Sequence, residues 1–570
     1  MKKWFVSAKK ADFTEIGKKF NITPMTARII RNRDVVGDEQ IRKYLHGTTS
    51  DLYSPWDLSG MKEGVCLLQQ AIGAGEKIRV IGDYDIDGVC ATYILLTGLK
   101  KIGANVDTVI PDRIKDGYGI NEQLIDGAKQ DGVDLIITCD NGIAASSQIS
   151  YAKDLGMSVI VTDHHEVPFE ESEGDRREKL PPADVIINPK QEQCQYPWKG
   201  LCGGVVAWKV VAALYETYGV SMEEAYRLLE FAAIATVGDI MELQEENRII
   251  VKEGLKRIHH TKNVGLKSLI EVNGLERDSI SAYHIGFVLG PCINAGGRLD
   301  TAKRALELFS SEEKESADRL AGDLKALNDS RKELTKEGVE EAIRQVLETG
   351  RRSEKVLVIY LPDCHESIAG IIAGRIKERF YRPTIVLTDA EEGIKGSGRS
   401  IPGYHMFEEL SKVAELFTKF GGHPMAAGMS LPKENLSKLR TLLNQNCTLT
   451  EEEMIEKVSI DIAMPIQYVN EAFVEELKVL EPFGNGNAKP LFAEREFHVL
   501  QSQLLGKNKN TVKVYGTNMT GCHIEGLYFG DAEAFLGFLK QKDTISMTYY
   551  PSVNEFRGKK TLQIIIQDYQ

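Results

Sequence analysis

The chain has 570 residues, 42% hydrophobic and 27% charged, an ordinary globular composition that excludes a disordered chain and is long enough for roughly three or four packed domains. Its formal net charge of −13 argues against a general polyanion binder, while leaving room for a local basic groove if many acids are committed to metal. Nine cysteines without a C-x-x-C pair read as reduced thiols, and no run approaches the ~20 apolar residues of a membrane helix, so a soluble cytoplasmic protein without a membrane partner is expected.

Residues 1–60 are polar and mixed, an N-terminal helical arm with "DEQIRKYLHG" as its best helix. From about residue 77, "KIRVIG", "ANVDTVI", "VDLIIT", "SVIVT" and "DVIIN" recur as β-branched runs roughly 25 residues apart, most of them separated by helix-like segments. That rhythm predicts βαβ units and a parallel sheet, an α/β fold, in a catalytic domain over 61–310 that includes the helical "EAYRLLEFAAIATVGDIMEL". A connector helix is expected over 311–350, with Leu320, Leu324, Leu327 and Leu334 at helical spacing and charges on its other faces. A second α/β block over 351–448 runs from the strand "EKVLVIYLP" through the helix "SIAGIIAGRIKERF" and the strand "PTIVLT" to the glycine-rich "FGGHPMAAGMS". Over 449–570 the segments "PLFAEREFHVLQ", "NTVKVYG", "CHIEGLYFG", "TISMTYYP" and "KTLQIIIQ" alternate as strands, interrupted by one helix, "DAEAFLGFLKQ". A five-stranded barrel of the oligonucleotide-binding type fits that order, and an unrelated small β-domain fits almost as well.

The run "VIGDYDIDGVC" sets Asp83, Asp85 and Asp87 at alternate positions behind a strand; Asp140 in "LIITCDNG" and Asp163, His164 and His165 in "VIVTDHHEVP" also trail apolar strands. Successive parallel strands end on one edge of a sheet, where open α/β folds carry their sites. A lone Asp there is better read as a turn or helix cap, and a lone His as a surface residue. Five converging carboxylates, however, would repel one another and be costly to ionise unless divalent cations stood among them. Oxygen ligands with one or two imidazoles suit Mn²⁺ or Mg²⁺, with iron or cobalt also compatible, and the lack of cysteine at these positions argues against thiolate-bound zinc.

The segments "GDYDIDGVCAT", "CDNGI", "VTDHHEVP" and "VGDIMEL" resemble the successive motifs of the DHH phosphoesterase superfamily. Further on, "LCGGVVAWKV", "GPCINAGGRLD", "ESIAGIIAGRI", "GSGRS", "GGHPMAAG" and "EPFGNGN" resemble, in order, segments of the RecJ family of bacterial single-strand-specific exonucleases, so that the likeness runs from about 60 to 570. The resemblance implies a DHH domain joined by the long helix to a DHHA1 domain, then an OB-like barrel. It also implies two ions, Mn²⁺ or Mg²⁺, bridged by Asp140, one held also by Asp85 and the other by Asp87, His164 and Asp239. Asp83 and Asp163 would orient these ligands and His165 would face the scissile phosphate. Where related enzymes place a histidine four residues before the second aspartate of the first motif, this chain has Ile81, so the first ion is expected to be held more weakly.

For the substrate, "IPDRIKDGYGIN" places Arg113 just past a strand, and "IKGSGRS" reads as a glycine-rich loop that carries Ser397 and Arg399 and could bring backbone N–H groups to an anion. Taken singly, each arginine is better read as a surface or ion-pair residue. The resemblance implies that Arg113, Ser397 and Arg399 hold a 5′-terminal phosphate with Arg298 assisting, and that His423 forms the far wall of the groove. Cys292 stands where relatives usually carry an arginine, and that contact is lost. Lys513, Tyr515 and Lys559 are candidates to track or stack on a single strand.

The activity so implied is metal-dependent 5′→3′ hydrolysis of single-stranded DNA to 5′-mononucleotides, in recombination and repair. Single-stranded DNA is the partner, a single-strand binding protein and a DNA helicase are candidate protein partners, and a monomer is expected. The alternatives are a DHH phosphodiesterase for short oligoribonucleotides or cyclic dinucleotides, relatives of which usually lack the terminal β-domain, and a non-catalytic single-strand-binding replication protein. Loss of the aspartates would signal the latter, and Asp85, Asp87, Asp140, His164 and Asp239 are all present.

Overall fold

Five short strands, β1 (Lys77–Ile81), β2 (Asn105–Val109), β3 (Leu135–Cys139), β4 (Ser158–Thr162) and β5 (Val185–Ile187), pair in the order β2-β1-β3-β4-β5, every pair parallel. They belong to a computed structural model that describes residues 2–113, 117, 119–172, 175–506, 509–556 and 558–570. The central strands are apolar on both faces, as a sheet covered on both sides requires, and Ile78, Val80, Ile136, Ile137, Val159 and Val161 are all buried. Ile81 pairs with Thr138 and Cys139 with Thr162, so these strands end level. β2 and β3 leave β1 on opposite sides, which opens a crevice at the carboxyl ends of the strands.

The helices α1 (Ile86–Lys101), α2 (Gly203–Tyr218), α3 (Leu229–Gly238) and α4 (Glu245–His259) follow in the same unit. α2 is buried at every residue from Gly203 to Tyr215 and is apolar on nearly all faces, its one buried charge, Lys209, pairing with Glu246 at 2.8 Å. Its approach to α1 is close: a Cβ at Gly98 would lie 2.4 Å from Val211.

The chain divides into two compact units, the larger made of Trp4–Ile293, Ala305–Asp318 and Val458–Gln570 and the smaller of Asn294–Arg304 and Arg319–Lys457 with residues 1–3. The helix α5 (Lys314–Glu348) passes from one to the other. Leu320 and Leu324 on it are buried and Leu334 is exposed, while Ala342 and Val346 near its end are buried again. In the smaller unit β6 (Leu357–Tyr360), the helix α6 (Glu366–Phe380), β7 (Thr384–Asp389), β8 (Ile394–Arg399), β9 (Lys419–His423) and β10 (Ala426–Leu431) build a sheet ordered β9-β10-β8-β7-β6.

One expectation is corrected here. "IKGSGRS" is not a loop: β8 pairs on both sides, Ser397 opposite Val386 and Gly428. Its glycines answer crowding, since a Cβ at Gly396 would lie 2.2 Å from Val386 O, and the ladder uses the backbone N–H groups that a loop would have offered to an anion. "FGGHPMAAGMS" is likewise a hairpin, β9 to β10.

Strands β11 (Phe492–Leu505), β12 (Thr511–Thr517), β13 (His523–Tyr528), β14 (Thr544–Phe556) and β15 (Lys559–Tyr569) close into a barrel in the order β11-β12-β13-β15-β14, with a helix over Ala532–Leu539 between β13 and β14. That is the oligonucleotide-binding topology, and of the two readings of this region it is the one realised. The N-terminal segment packs into the same core: Ile29, Ile30, Ile41 and Leu45 join Phe492, Phe497, Phe535 and Tyr549. On the barrel, Tyr515 is partly exposed and stacks on His523 with centroids 5.5 Å apart and planes 6° apart, Lys513 pairs with Glu525 at 2.8 Å, and Lys559 is exposed. All nine cysteines are free thiols. Among the described residues no helix is long and apolar enough to cross a membrane.

Candidate metal centre

The loop after β1 folds back on itself because Asp85 caps α1, its Oδ1 accepting from the N–H of Asp87 at 2.9 Å and of Gly88 at 3.1 Å. Only glycine fits at 88, where a Cβ would lie 2.5 Å from Asp83 O. Asp87 then points at the start of α2, where Gly203 N–H donates to one carboxylate oxygen at 2.7 Å and Gly204 N–H to the other at 2.6 Å, the arrangement in which a helix N-terminus stabilises an anion.

At the end of β3, Asp140 takes a left-handed backbone, φ +62°, which Asp tolerates better than most residues. The next residue ties the two central strands together, Asn141 Nδ2 donating to Ile81 O at 3.1 Å and Cys139 O at 2.9 Å. After β4, Asp163 Oδ2 accepts from Ile143 N–H at 3.0 Å and its Oδ1 from His164 N–H at 2.7 Å and His165 N–H at 3.1 Å. The same Oδ1 meets His165 Nδ1 at 2.7 Å. Asp239 comes from farther on, as the residue that ends α3.

These side chains meet in three overlapping groups whose ligand atoms lie within 4.8 Å of one another: Asp83, Asp85 and Asp140; Asp87, His164 and Asp239; and Asp140, His164 and His165. His164 Nε2 stands 3.0 Å from Asp140, 3.5 Å from Asp87 and 3.7 Å from Asp239. Asp140 thus adjoins both of the other carboxylate sets. Asp83 stands at ligand distance beside Asp85, whereas the carboxylate of Asp163 is engaged by backbone N–H groups and by His165. Ile81 is fully buried in the core under the sheet and brings no donor.

The electrostatics suit a cation. Burial first, then the charges of Asp87, Asp85 and Asp83, push the Asp140 carboxyl well above the ordinary carboxylate range. Burial and Asp85 do the same to Asp83, burial raises Asp87, and burial with Asp87 and Asp85 takes Asp239 up to about 8. Burial lowers His164, which favours the neutral ring a metal needs. Among the described residues, Asp83 Oδ1 and His164 Nδ1 are buried without a hydrogen-bond partner. Buried, mutually repelling oxygens beside a neutral imidazole, with no thiolate, fit a hard divalent cation.

The two histidines differ in exposure, 8% for the His164 side chain and 42% for His165. Burial works against charge on His165, yet its bond to Asp163 raises it to about 9; burial likewise opposes the Asp163 carboxylate, which the same bond holds below its usual range.

Of the residues expected at the substrate, Arg113 lies over the Tyr84 ring at 5.0 Å, beside the Asp83–Asp87 loop. In the smaller unit Arg298 Nη1 donates to Ser367 O at 2.8 Å and Arg399 Nη1 to Ser397 Oγ at 2.7 Å. A Cβ at Gly370 would lie 2.7 Å from Arg399 Nη2 and 2.9 Å from Ser397 Oγ. Two guanidinium groups and a hydroxyl therefore gather at the first turns of α6. His423 stands apart, exposed at the end of the hairpin strand β9, which β10 separates from β8. Cys292 is buried and donates to Asn273 Oδ1 at 3.7 Å.

Sequence reasoning left three supports without a role: the Gly203–Gly204 pair, Asn141, and Asn188, whose Nδ2 donates to His165 O at 3.0 Å. The glycine pair just ahead of an apolar helix in "LCGGVV" was the available signal for the first.

Residues 77–236 match the DHH family, N-terminal domain, residues 353–448 the DHHA1 domain, and residues 460–568 the RecJ OB domain. The chain is 38% identical over 555 residues to the single-stranded-DNA-specific exonuclease RecJ of Bacillus subtilis (strain 168), covering 97% of this chain and 68% of that one. It is 34% identical to the RecJ of Salmonella typhimurium (strain LT2), with 96% of each covered. The crystal structure of RecJ in complex with Mn²⁺ from Thermus thermophilus superposes with a TM-score of 0.82 at 26% identity, over 100% of this chain and 79% of that one. With the DHH, DHHA1 and OB segments in order and relatives of 38% and 34% identity covered over 68% and 96% of their own lengths, the chain belongs to the RecJ family of single-stranded-DNA-specific exonucleases.

Proposed function

We propose that the protein is a metal-dependent 5′→3′ exonuclease that hydrolyses single-stranded DNA to 5′-mononucleotides in recombination and repair, using two divalent ions, Mn²⁺ or Mg²⁺. The observation that carries the reading is the position of Asp140, within ligand distance of Asp83 and Asp85 on one side and of His164 on the other. When bound, two such ions activate a water and stabilise the attacking and leaving oxygens of an in-line displacement. Asp85 and Asp140 would hold one ion, and Asp87, His164, Asp239 and Asp140 the other, with Asp83 as a further oxygen donor to the first. Asp163 holds Nδ1 of His165, so that Nε2, turned away from it on the exposed ring, donates to a phosphoryl oxygen as charge develops there.

The polarity reading rests on Arg298, Ser397 and Arg399, whose grouping at the start of α6 is anion-binding chemistry suited to a terminal 5′-phosphate; Arg113, beside Tyr84 in the larger unit, is a further candidate phosphate contact. His423 would border the strand. The barrel, with the Tyr515–His523 stack, favours a long strand over a dinucleotide. We further propose a cytoplasmic monomer that works beside a single-strand binding protein and a DNA helicase.

The test is incubation with Mn²⁺ and a 5′-phosphorylated single strand labelled at its 3′ end, beside the duplex, an RNA copy and Asp140→Ala. Metal-dependent release of 5′-mononucleotides with shortening from the 5′ end, absent in the variant, supports the reading. Binding without cutting by both proteins would sink it in favour of a non-catalytic role.

A further inference from the structure

The turn that carries Asp239 runs against the preference of its own backbone. Asp239 ends α3 at φ −85°, Ile240 follows at φ +57°, and the N–H of Met241 returns to Thr236 O at 3.0 Å. In such a helix ending the left-handed place is usually glycine, and a β-branched residue there is strained. Ile240 is also 71% exposed, so packing does little to offset the strain.

What grips this turn comes from far along the chain. Asn485, in "EPFGNGN", donates from Nδ2 to Ile240 O at 2.8 Å, and its own carbonyl accepts from Leu243 N–H at 2.8 Å. The flanking glycines allow the approach: a Cβ at Gly484 would lie 2.7 Å from Leu243, and one at Gly486 3.1 Å from Glu242. The gripping segment is itself anchored. Arg248, buried on α4, donates to the carbonyls of Val479, Leu480 and Glu481 at 3.1, 3.0 and 2.8 Å, and Asn487 Nδ2 donates to Leu480 O and Pro482 O at 2.8 Å each.

Asp239 depends on this more than its neighbours do. Its side chain is 31% exposed, against 1% for Asp87 and 3% for Asp140. Its place near His164 is set chiefly by where the turn puts it.

We propose that Asn485 is a positioning residue of the metal centre: by holding the carbonyl of Ile240 it keeps the strained turn, and with it the Asp239 carboxylate, within reach of His164 and Asp87. The proposal rests on the reading of Asp239 as a metal ligand. The strap that leads into the barrel thereby helps shape a site on the parallel sheet.

Mn²⁺ binding to the full chain, measured by calorimetry without DNA, tests it on Asp239→Ala, Asn485→Ala, Ile240→Asn and the Asn485→Ala/Ile240→Asn pair, with melts in chelator alongside. Asp239→Ala should weaken Mn²⁺ at least about tenfold, and Asn485→Ala about tenfold, the usual cost of losing a group behind a ligand. Ile240→Asn in the Asn485→Ala background should recover most of the affinity, because asparagine enters the left-handed region with less strain. Parent-like binding by Asn485→Ala while Asp239→Ala is weakened overturns the brace alone. Parent-like binding by Asp239→Ala removes the ligand reading and the brace with it. A loss in Asn485→Ala that Ile240→Asn does not recover assigns Asn485 to general stability and also overturns the proposal.

Discussion

Asp163 Oδ1 and His165 Nδ1 stand 2.7 Å apart, a contact that ties the ring of the more exposed of the two histidines to the aspartate behind the site. If that contact aims the ring at the reacting phosphate, His165→Ala should lower kcat by about 10²–10³-fold, the range seen when a transition-state donor is lost, while Mn²⁺ affinity changes little. Asp163→Asn should show a similar kcat loss with the histidine still present. Single-turnover rates beside Mn²⁺ titrations check it, and a parent-like rate in His165→Ala would remove the role.

The glycine pair at the start of α2 makes a second expectation. A Cβ at Gly203 would lie 2.6 Å from Asp140 Cβ and one at Gly204 2.6 Å from Ala235 Cβ. Gly203→Ala should therefore cost about 1–3 kcal/mol through overpacking and displace Asp140. Thermal melts and Mn²⁺ titration of the same preparation should show both losses together.

Removing metal should expose the repulsion inside the centre. Asp140→Asn removes a carboxyl that burial and its acidic neighbours make costly at neutral pH, so in chelator it should melt higher than the parent by about 2–4 °C, the shift that ~1 kcal/mol makes in a large domain. Mn²⁺ should then raise the parent's melting temperature and leave the variant's almost unchanged. Melting in chelator and in Mn²⁺ decides it.

Glu230 gives a pH signature away from the site. Burial on α3 lifts its carboxyl to about 7 from an ordinary 4.5, despite Thr261 and Arg257 nearby. A raised carboxyl binds its proton more tightly when folded, so its penalty is absent below about pH 4.5, grows as pH rises to about 7 and is constant above. Glu230→Gln should match the parent near pH 4.5 and exceed it at pH 8 by up to about 3 kcal/mol. Urea unfolding at the two pH values checks the sign.

Much of the architecture is local and was legible. The β-branched runs ending at Ile81, Cys139 and Thr162 are strands because their composition suits a sheet covered on both faces, and level parallel strands must bring Asp83, Asp140 and Asp163 to one edge. The barrel strands were legible for the same reason, though alternation alone left the closure of the barrel open. "IKGSGRS" misled because a glycine run prefers a loop when judged by its own backbone, whereas here Gly396 and Gly398 answer Val386, Leu387 and Met406 pressing against β8.

By itself, then, the sequence determined which residues carry the chemistry, because residue type and strand period are properties of short stretches. Only the tertiary structure decided how they are held: Asp87 against the N–H groups of Gly203 and Gly204, Arg298 near Ser397 and Arg399 at the start of α6, and Ile240 under Asn485. These partners lie tens to hundreds of positions apart. Which backbone groups are left to meet a given side chain depends on how whole helices and strands pack, and no window of the chain contains that information.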